Sequence, residues 1–336
     1  MIAMRETHPK DSAMNHAPGL RRRTFIASAA VFATAAHAQK TYPSRPITVV
    51  CPFSPGGTAD VQLRTLAAAA AREIGQPMVV ETRAGAAGTL GPASLLNAHP
   101  DGYTLSFATT IALLRQPFIQ PTRYDPLKDF TYIVGITRFE CGLVVRADAP
   151  WKTLDQFLQF AKRNPGKVSY GTAGVATAQH TAMLKLADKL GIDWTNVPYK
   201  GSAEVFNALA AGHVDAISET SGWAPFVDSG KFRVLAMYSD KRLKRWPDAP
   251  TLKESGYDIV ESVPWGIVGP AGMDPSIVQK LHDAFRKAMN DSAFEANLET
   301  VGQEPWGADS RTFTEYVRSR VPVERDVVAR YRLKQA

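Results

Sequence analysis

Cysteine is scarce: 336 residues contain only Cys51 and Cys141, each inside an apolar run and neither in a Cys-x-x-Cys or other metal-ligand spacing. They read as buried thiols, with a disulfide left chemically open, and give no basis for a metal site. A Gly-x-Ser-x-Gly elbow, a His-Glu-x-x-His pair and a Walker sequence are all missing, which argues against the hydrolase, zincin and nucleotide-binding classes they mark. Charged residues make up 21% of the chain, and no Lys/Arg stripe with interleaved aromatics suggests nucleic-acid binding. The densest basic stretch, Lys241 to Arg245, reads as a solvated loop or helix end. No apolar run approaches the about 20 residues of a membrane-spanning helix, and no internal repeat of fixed period is visible. No cofactor motif is found.

The N-terminus does carry a processing pattern. Arg21, Arg22 and Arg23 precede an apolar stretch from Phe25 to Ala36 and a small-residue end, Ala36-His37-Ala38. Residues 1–38 are therefore expected to be a cleavable export signal, by the twin-arginine or the general secretory route, leaving a soluble periplasmic protein. That segment holds five basic and two acidic side chains, so its removal lowers the net charge from +7 to +4. The remaining bias is mild and of the sign that would steer a small anion.

Beyond residue 38, short β-branched runs alternate with helical patterns. "ITVVC" (47–51), "MVVE" (78–81) and "YTLSFAT" (103–109) frame one series. "SYGT" (169–172), "NVPYK" (196–200) and "HVDAISE" (213–219) frame a second. The alternation predicts α/β architecture with mostly parallel sheet. If "TYIVGITRFECGLVV" leads out of the first half and "DIVESVPWGIVGP" leads back, residues 39–138 and 262–336 form one domain and residues 139–261 the other. Two connecting segments then act as a hinge beside a ligand cleft.

The stretch "PFSPGGTAD" (52–60) leaves the first strand and enters a helix. Ligands of open α/β sheets bind at such strand ends, and bare N–H groups before a helix favour an anion. Gly56 and Gly57 would let a ligand approach the backbone, and Thr58 or Asp60 would cap the helix. Read alone, the stretch is equally a tight structural turn. "SYGTAGVATAQH" (169–180) repeats the arrangement in the second half, with Thr177 as a cap and His180 supporting the loop. Two glycine-rich loops facing each other would clamp one carboxylate. "RAGAAGTLG" (83–91) lacks the dinucleotide spacing but could line the same cleft. Trp265 and Tyr199 are cleft-lining or core aromatics, and Asp215 a structural turn residue. Glu219 is placed to meet the far end of a ligand that carries an amine or another donor besides its carboxylate.

Six segments in order, "YPSRPITVVCPFSPGGTADVQLR", "GQPMVVETRAGAAGTLG", "HPDGYTLSFAT", "SYGTAGVATAQHTAMLKL", "VPYKGSAEVFNALAAGHVDA" and "WPDAPTLKESGY…VPWGIVGPAGMDPSIV", resemble the Bug-type receptors of tripartite tricarboxylate transporters. The resemblance covers essentially all of the chain after residue 38. It implies a type II two-lobed binding-protein fold that closes on a small organic carboxylate, without catalysis. Membrane transporter subunits, or a sensor domain, would be the partners of an otherwise monomeric receptor. In the family the carboxylate is held by the first strand-to-helix loop and the second lobe's glycine-rich loop. By position these carry Phe53, Ser54, Pro55, Gly56, Gly57, Thr58 and Asp60, and Gly171, Thr172, Ala173, Gly174, Thr177 and His180. Thr110 matches a further polar position, and Glu219 and Trp265 complete the candidate ligand set. The chain departs from the pattern at Ser54, where a small apolar residue or Pro is usual, and at "AISET", which replaces a more apolar strand end. The rival reading is an exported hydrolase using Ser54 or Cys51 with His180.

Overall fold

The structure is a computed structural model, and it describes residues 42–333. The expected export signal therefore lies outside the described residues. The first strand, β1 (Ile47–Cys51), leads into helix α1 (Thr58–Ile74), and β2 (Met78–Thr82) returns parallel to it. After a short helix α2 (Leu90–Ser94), β3 (Thr104–Thr109) pairs parallel with the other side of β1. Apolar side chains on both faces explain why β1 is buried: Ile47, Val49, Val50 and Cys51 are inaccessible to solvent.

A single turn of helix, α3 (Thr110–Leu114), precedes the seventeen-residue strand β4 (Phe130–Arg146). The second series then runs α4 (Leu154–Arg163), β5 (Ser169–Thr172), α5 (Ala178–Leu190), β6 (Thr195–Pro198), α6 (Ser202–Ala210) and β7 (Ala216–Thr220). It continues through α7 (Ala224–Asp228) and β8 (Phe232–Met237). The chain returns along β9 (Ser262–Pro270) and ends with α8 (Pro275–Ala288), α9 (Ser292–Thr300), β10 (Pro305–Ala308) and α10 (Ser310–Arg330).

Strands follow the order β2-β1-β3-β9-β4-β7-β5-β6, with β8 and β10 also pairing with β4. The arms are parallel, as the alternation predicts, but every pairing that involves β4 or β9 is antiparallel. The expectation of a mostly parallel sheet fails at the centre for a topological reason. β4 carries the chain out of one sheet and β9 carries it back, so the two crossing strands run in opposite directions. Residues 130–140 of β4 pair with β9, and residues 141–145 pair with β7. One strand therefore serves two sheets, and the fold is α/β and two-lobed, with the seam between lobes at the C-terminal ends of β1 and β5.

Candidate functional site

The first loop is built around a side chain that the sequence reading assigns to capping or to the ligand. Asp60, in the first turn of α1, reaches back so that Gly56 N–H donates to its Oδ2 at 2.9 Å, while Arg64 Nε donates to Oδ1 at 2.9 Å. Gly56 adopts φ 75°, a conformation that suits glycine, and Pro55 precedes it in the turn. The N-cap is Gly57, which offers no side chain, and the Thr58 hydroxyl does not cap the helix. It lies 2.8 Å from the hydroxyl of Thr220 at the end of β7, across the seam. The expected caps are thus corrected: Asp60 folds the loop and Thr58 joins the lobes.

Phe53 is half-buried and lies edge-on to Phe107. A side chain on Gly88 would come within 2.7 Å of its ring, which explains one glycine of "RAGAAGTLG". Ala86 and Ala87 of the same segment hold φ 47° and 50°, strained values for residues with a Cβ, and Ala87 lies against Gly174 of the second loop. This contact between loops of different lobes is more specific than the cleft lining expected from sequence.

The second loop is held from within its own lobe. Thr177 caps α5 by accepting from His180 N–H at 3.3 Å and donates to the Gly174 carbonyl at 3.1 Å. Ala176 N–H donates to His180 Nδ1 at 2.8 Å, fixing a residue whose φ is 58°. Burial, aided by the Arg115 guanidinium, pushes the His180 imidazole down to about 4, so the ring is a neutral acceptor at pH 7. Thr172 Oγ1 lies 3.1 Å from the Gly174 carbonyl and 2.9 Å from Asn196 Oδ1. Gly171 lies tight against Val205 and Tyr199. Ala173 turns its N–H toward Glu219.

Glu219 is fully buried. Its Oε1 accepts from Thr220 N at 2.6 Å, Ser202 Oγ at 3.1 Å and Gln179 Nε2 at 3.4 Å, while Oε2 has no partner. Burial raises its carboxyl to about 7 against the opposing pull of these donors. The Ser54 hydroxyl, on the facing loop, is likewise buried and without a partner. Trp265 is buried between Phe107 and Phe139, with ring centroids 4.5 and 5.9 Å away, and its Nε1 is unpartnered. Thr110 is buried beside Tyr316 of α10.

Two residues that sequence reasoning missed join the lobes. Arg115, after α3, donates to the Ala176 carbonyl at 3.3 Å and to Thr181 Oγ1 at 2.5 Å while pairing with Glu324 at 2.7 Å. Gln116 Nε2 donates to the Val175 carbonyl at 3.0 Å. Neither belongs to a recognisable motif; an arginine and a glutamine following a buried strand, in a stretch with few other charges, are the only sequence signal. The seam is flanked by two cavities that both lobes line. One, of about 330 Å³, lies beside Ala86, Ala87, Gln116, Gly174, Tyr199 and Lys200. The other, of about 290 Å³, lies beside Gly57, Val61, Gln62, Phe206, Gly222 and Asn297.

The hydrolase reading finds no assembled nucleophile. His180 Nδ1 is engaged by Ala176 N–H, Ser54 Oγ has no hydrogen-bonded base, and the Cys51 thiol donates to the Phe53 carbonyl in the core. Burial pushes that thiol up to about 12, against any role as a thiolate.

Two lobes sharing their crossing strands, with glycine-rich loops of each meeting at a seam, define a solute-binding receptor of the periplasmic binding-protein class. Residues 62–333 match the tripartite tricarboxylate transporter family receptor, and the chain belongs to that family. A Cupriavidus necator protein, described as a UPF0065 protein in the gbd 5′ region, is 39% identical over 328 residues, covering 94% of this chain and all of that one. The structure of the periplasmic binding protein BugD is similar with a TM-score of 0.84 at 28% identity, covering 88% of this chain and 100% of that one. MatC from Rhodopseudomonas palustris with bound malate gives 0.80 at 28% identity, covering 85% and 100% respectively. The family is one of receptors, and the Bug-type resemblance stands.

Proposed function

We propose that this chain is an exported receptor that captures a small organic carboxylate at the seam between its lobes and presents it to a transporter of the tripartite tricarboxylate type. The observation that carries the reading is the meeting of the Ser54–Asp60 and Gly171–His180 loops, with the buried Ser54 Oγ and Glu219 Oε2 unpartnered beside them. Residues 39–138 and 262–336 form one lobe and residues 139–261 the other, joined by β4 and β9. The carboxylate accepts hydrogen bonds from loop amides at the N-termini of α1 and α5, and the lobes close over it. Malate in the related MatC structure supports the carboxylate class. Release of residues 1–38 on export would place the receptor in the periplasm.

The test is a thermal-shift screen of residues 39–336 against small carboxylates and their amides, after unfolding and refolding to remove any carried ligand. A ligand at about 100 times its dissociation constant adds roughly 2.7 kcal/mol. The expected result is a raised midpoint with one carboxylate class, abolished by Gly57→Leu, because a Cβ on Gly57 already lies 3.2 Å from Ala203 N of the other lobe. A shift with amides or neutral compounds and none with acids would refute the carboxylate reading.

A further inference from the structure

Each of the two facing loops has an internal carboxylate beneath it, and the two differ in one respect. Asp60, 3% exposed, has both oxygens engaged, one of them by the Arg64 guanidinium. Glu219, 0% exposed, draws three donors to Oε1, and Ala173 turns its N–H toward the carboxyl, while Oε2 has no hydrogen-bond partner among the described residues. No cation stands among the groups acting on it. The titratable groups near it, on β4 and just after β8, are the Cys141 thiol and the Tyr238 phenol, both of which burial keeps neutral.

The residues that hold Glu219 pack against the other lobe. Gly57 packs on Ser202, whose hydroxyl holds Oε1, and Thr58 reaches Thr220, the residue after Glu219. Ser54 packs on Gly201 with its own hydroxyl unpartnered. With the lobes in contact Oε2 lies out of water without a hydrogen-bond partner, a costly state for a carboxylate. A ligand carboxylate reaching this point finds the Thr220, Ser202 and Gln179 donors already taken and a like charge in the way. A hydroxyl or an ammonium group finds a free acceptor.

We propose that Glu219 makes this receptor selective for carboxylates that also carry a hydrogen-bond donor, a hydroxyl or an ammonium group, which meets Oε2 as the lobes close. The inference rests on the carboxylate-receptor reading above and names the substrate class of the same site. The ligand's carboxylate keeps to the loop amides at the N-termini of α1 and α5, where Asp60 is neutralised by Arg64, and its donor goes to Oε2.

The experiment is isothermal titration calorimetry of refolded residues 39–336 at pH 8, in two buffers of different ionisation enthalpy. The probes are matched trios: propionate, lactate and alanine; succinate, malate and aspartate; glutarate, 2-hydroxyglutarate and glutamate. Within the trio that binds, the hydroxy or amino member should bind about tenfold or more tighter than the plain acid. Glu219→Gln, whose amide keeps an acceptor for Thr220 N and puts a donor at Oε2, should narrow that ratio to about threefold or less. Should that variant not fold, the wild-type ranking decides alone. A plain acid that binds as well as its donor-bearing partners overturns the proposal. So does uptake of about one proton with the plain acid, which would mean that Glu219 itself becomes the donor. Binding by none of the nine acids also overturns it, and each of these results leaves the carboxylate reading to the wider acid screen above.

Discussion

Gly201 offers a way to hold the lobes apart without disturbing either one. Its backbone is extended, with φ 176° and ψ 169°, so an alanine is tolerated locally. A Cβ there would lie 2.7 Å from the backbone nitrogen of Ser54 in the opposite lobe, against an ordinary contact distance of about 3.5 Å. Backbone cannot rotate away as a side chain can, so the loops must part by roughly 0.8 Å. Overpacking of this kind costs about 1–3 kcal/mol, and losing the hydrogen bond between Thr58 and Thr220 adds about 1 kcal/mol. The closed state of Gly201→Ala is therefore destabilised by about 2–4 kcal/mol, which weakens ligand binding by about 30- to 1,000-fold. Calorimetry with the acid found in the screen measures the affinity, and small-angle scattering measures the ligand-induced compaction. Urea denaturation of the ligand-free variant should stay within about 0.5 kcal/mol of wild type. An affinity within threefold of wild type, with the same compaction, would refute closure through this seam.

Two further perturbations address the supports of the second loop. The His180 imidazole is held down to about 4 by burial and must stay unprotonated to accept from Ala176. Its unfolded pKa is about 6.5, so its contribution is complete above that value and is lost as pH falls toward 4. The stability difference between wild type and His180→Gln should therefore shrink by about 2–3 kcal/mol between pH 7.5 and 4.5 in urea titrations. Parallel pH profiles would contradict this. Arg115→Met, which strands the buried Glu324 carboxylate with only Arg320, should cost about 3–5 kcal/mol. Adding Glu324→Met should restore most of it, and a single variant that loses under 1 kcal/mol would disprove the buried pair's role.

Much of this could be read in the chain because local chemistry controls it. "ITVVC" followed by "PFSPGG" leaves few alternatives to a buried strand and a turn with positive φ, and both are present. The run "TYIVGITRFECGLVV" was legible as a crossing segment because it is long for one strand of one sheet, and β4 does pair first with β9 and then with β7. Asp60 misled because a capping residue and a loop-folding residue look alike in sequence. Only the position of Gly56 N–H separates them. Arg115 and Gln116 escaped notice because their partners lie about sixty residues away, in a loop brought near by tertiary structure alone. The short helix α9 and strand β10 went unassigned for want of a strong period, although the sheet gives β10 its place beside β4.

The shared strand has a consequence for how this molecule can be taken apart. β4 supplies hydrogen bonds to β9 and β10 with its first half and to β7 and β8 with its second. A cut within it would give each fragment a half-length strand and a raw sheet edge, the kind of surface on which chains aggregate. Neither lobe is thus a module that could be expressed, exchanged or fused on its own. Permutation of the chain, insertion of a reporter or grafting of a new specificity must leave residues 130–146 unbroken and work through the loops that end at the seam.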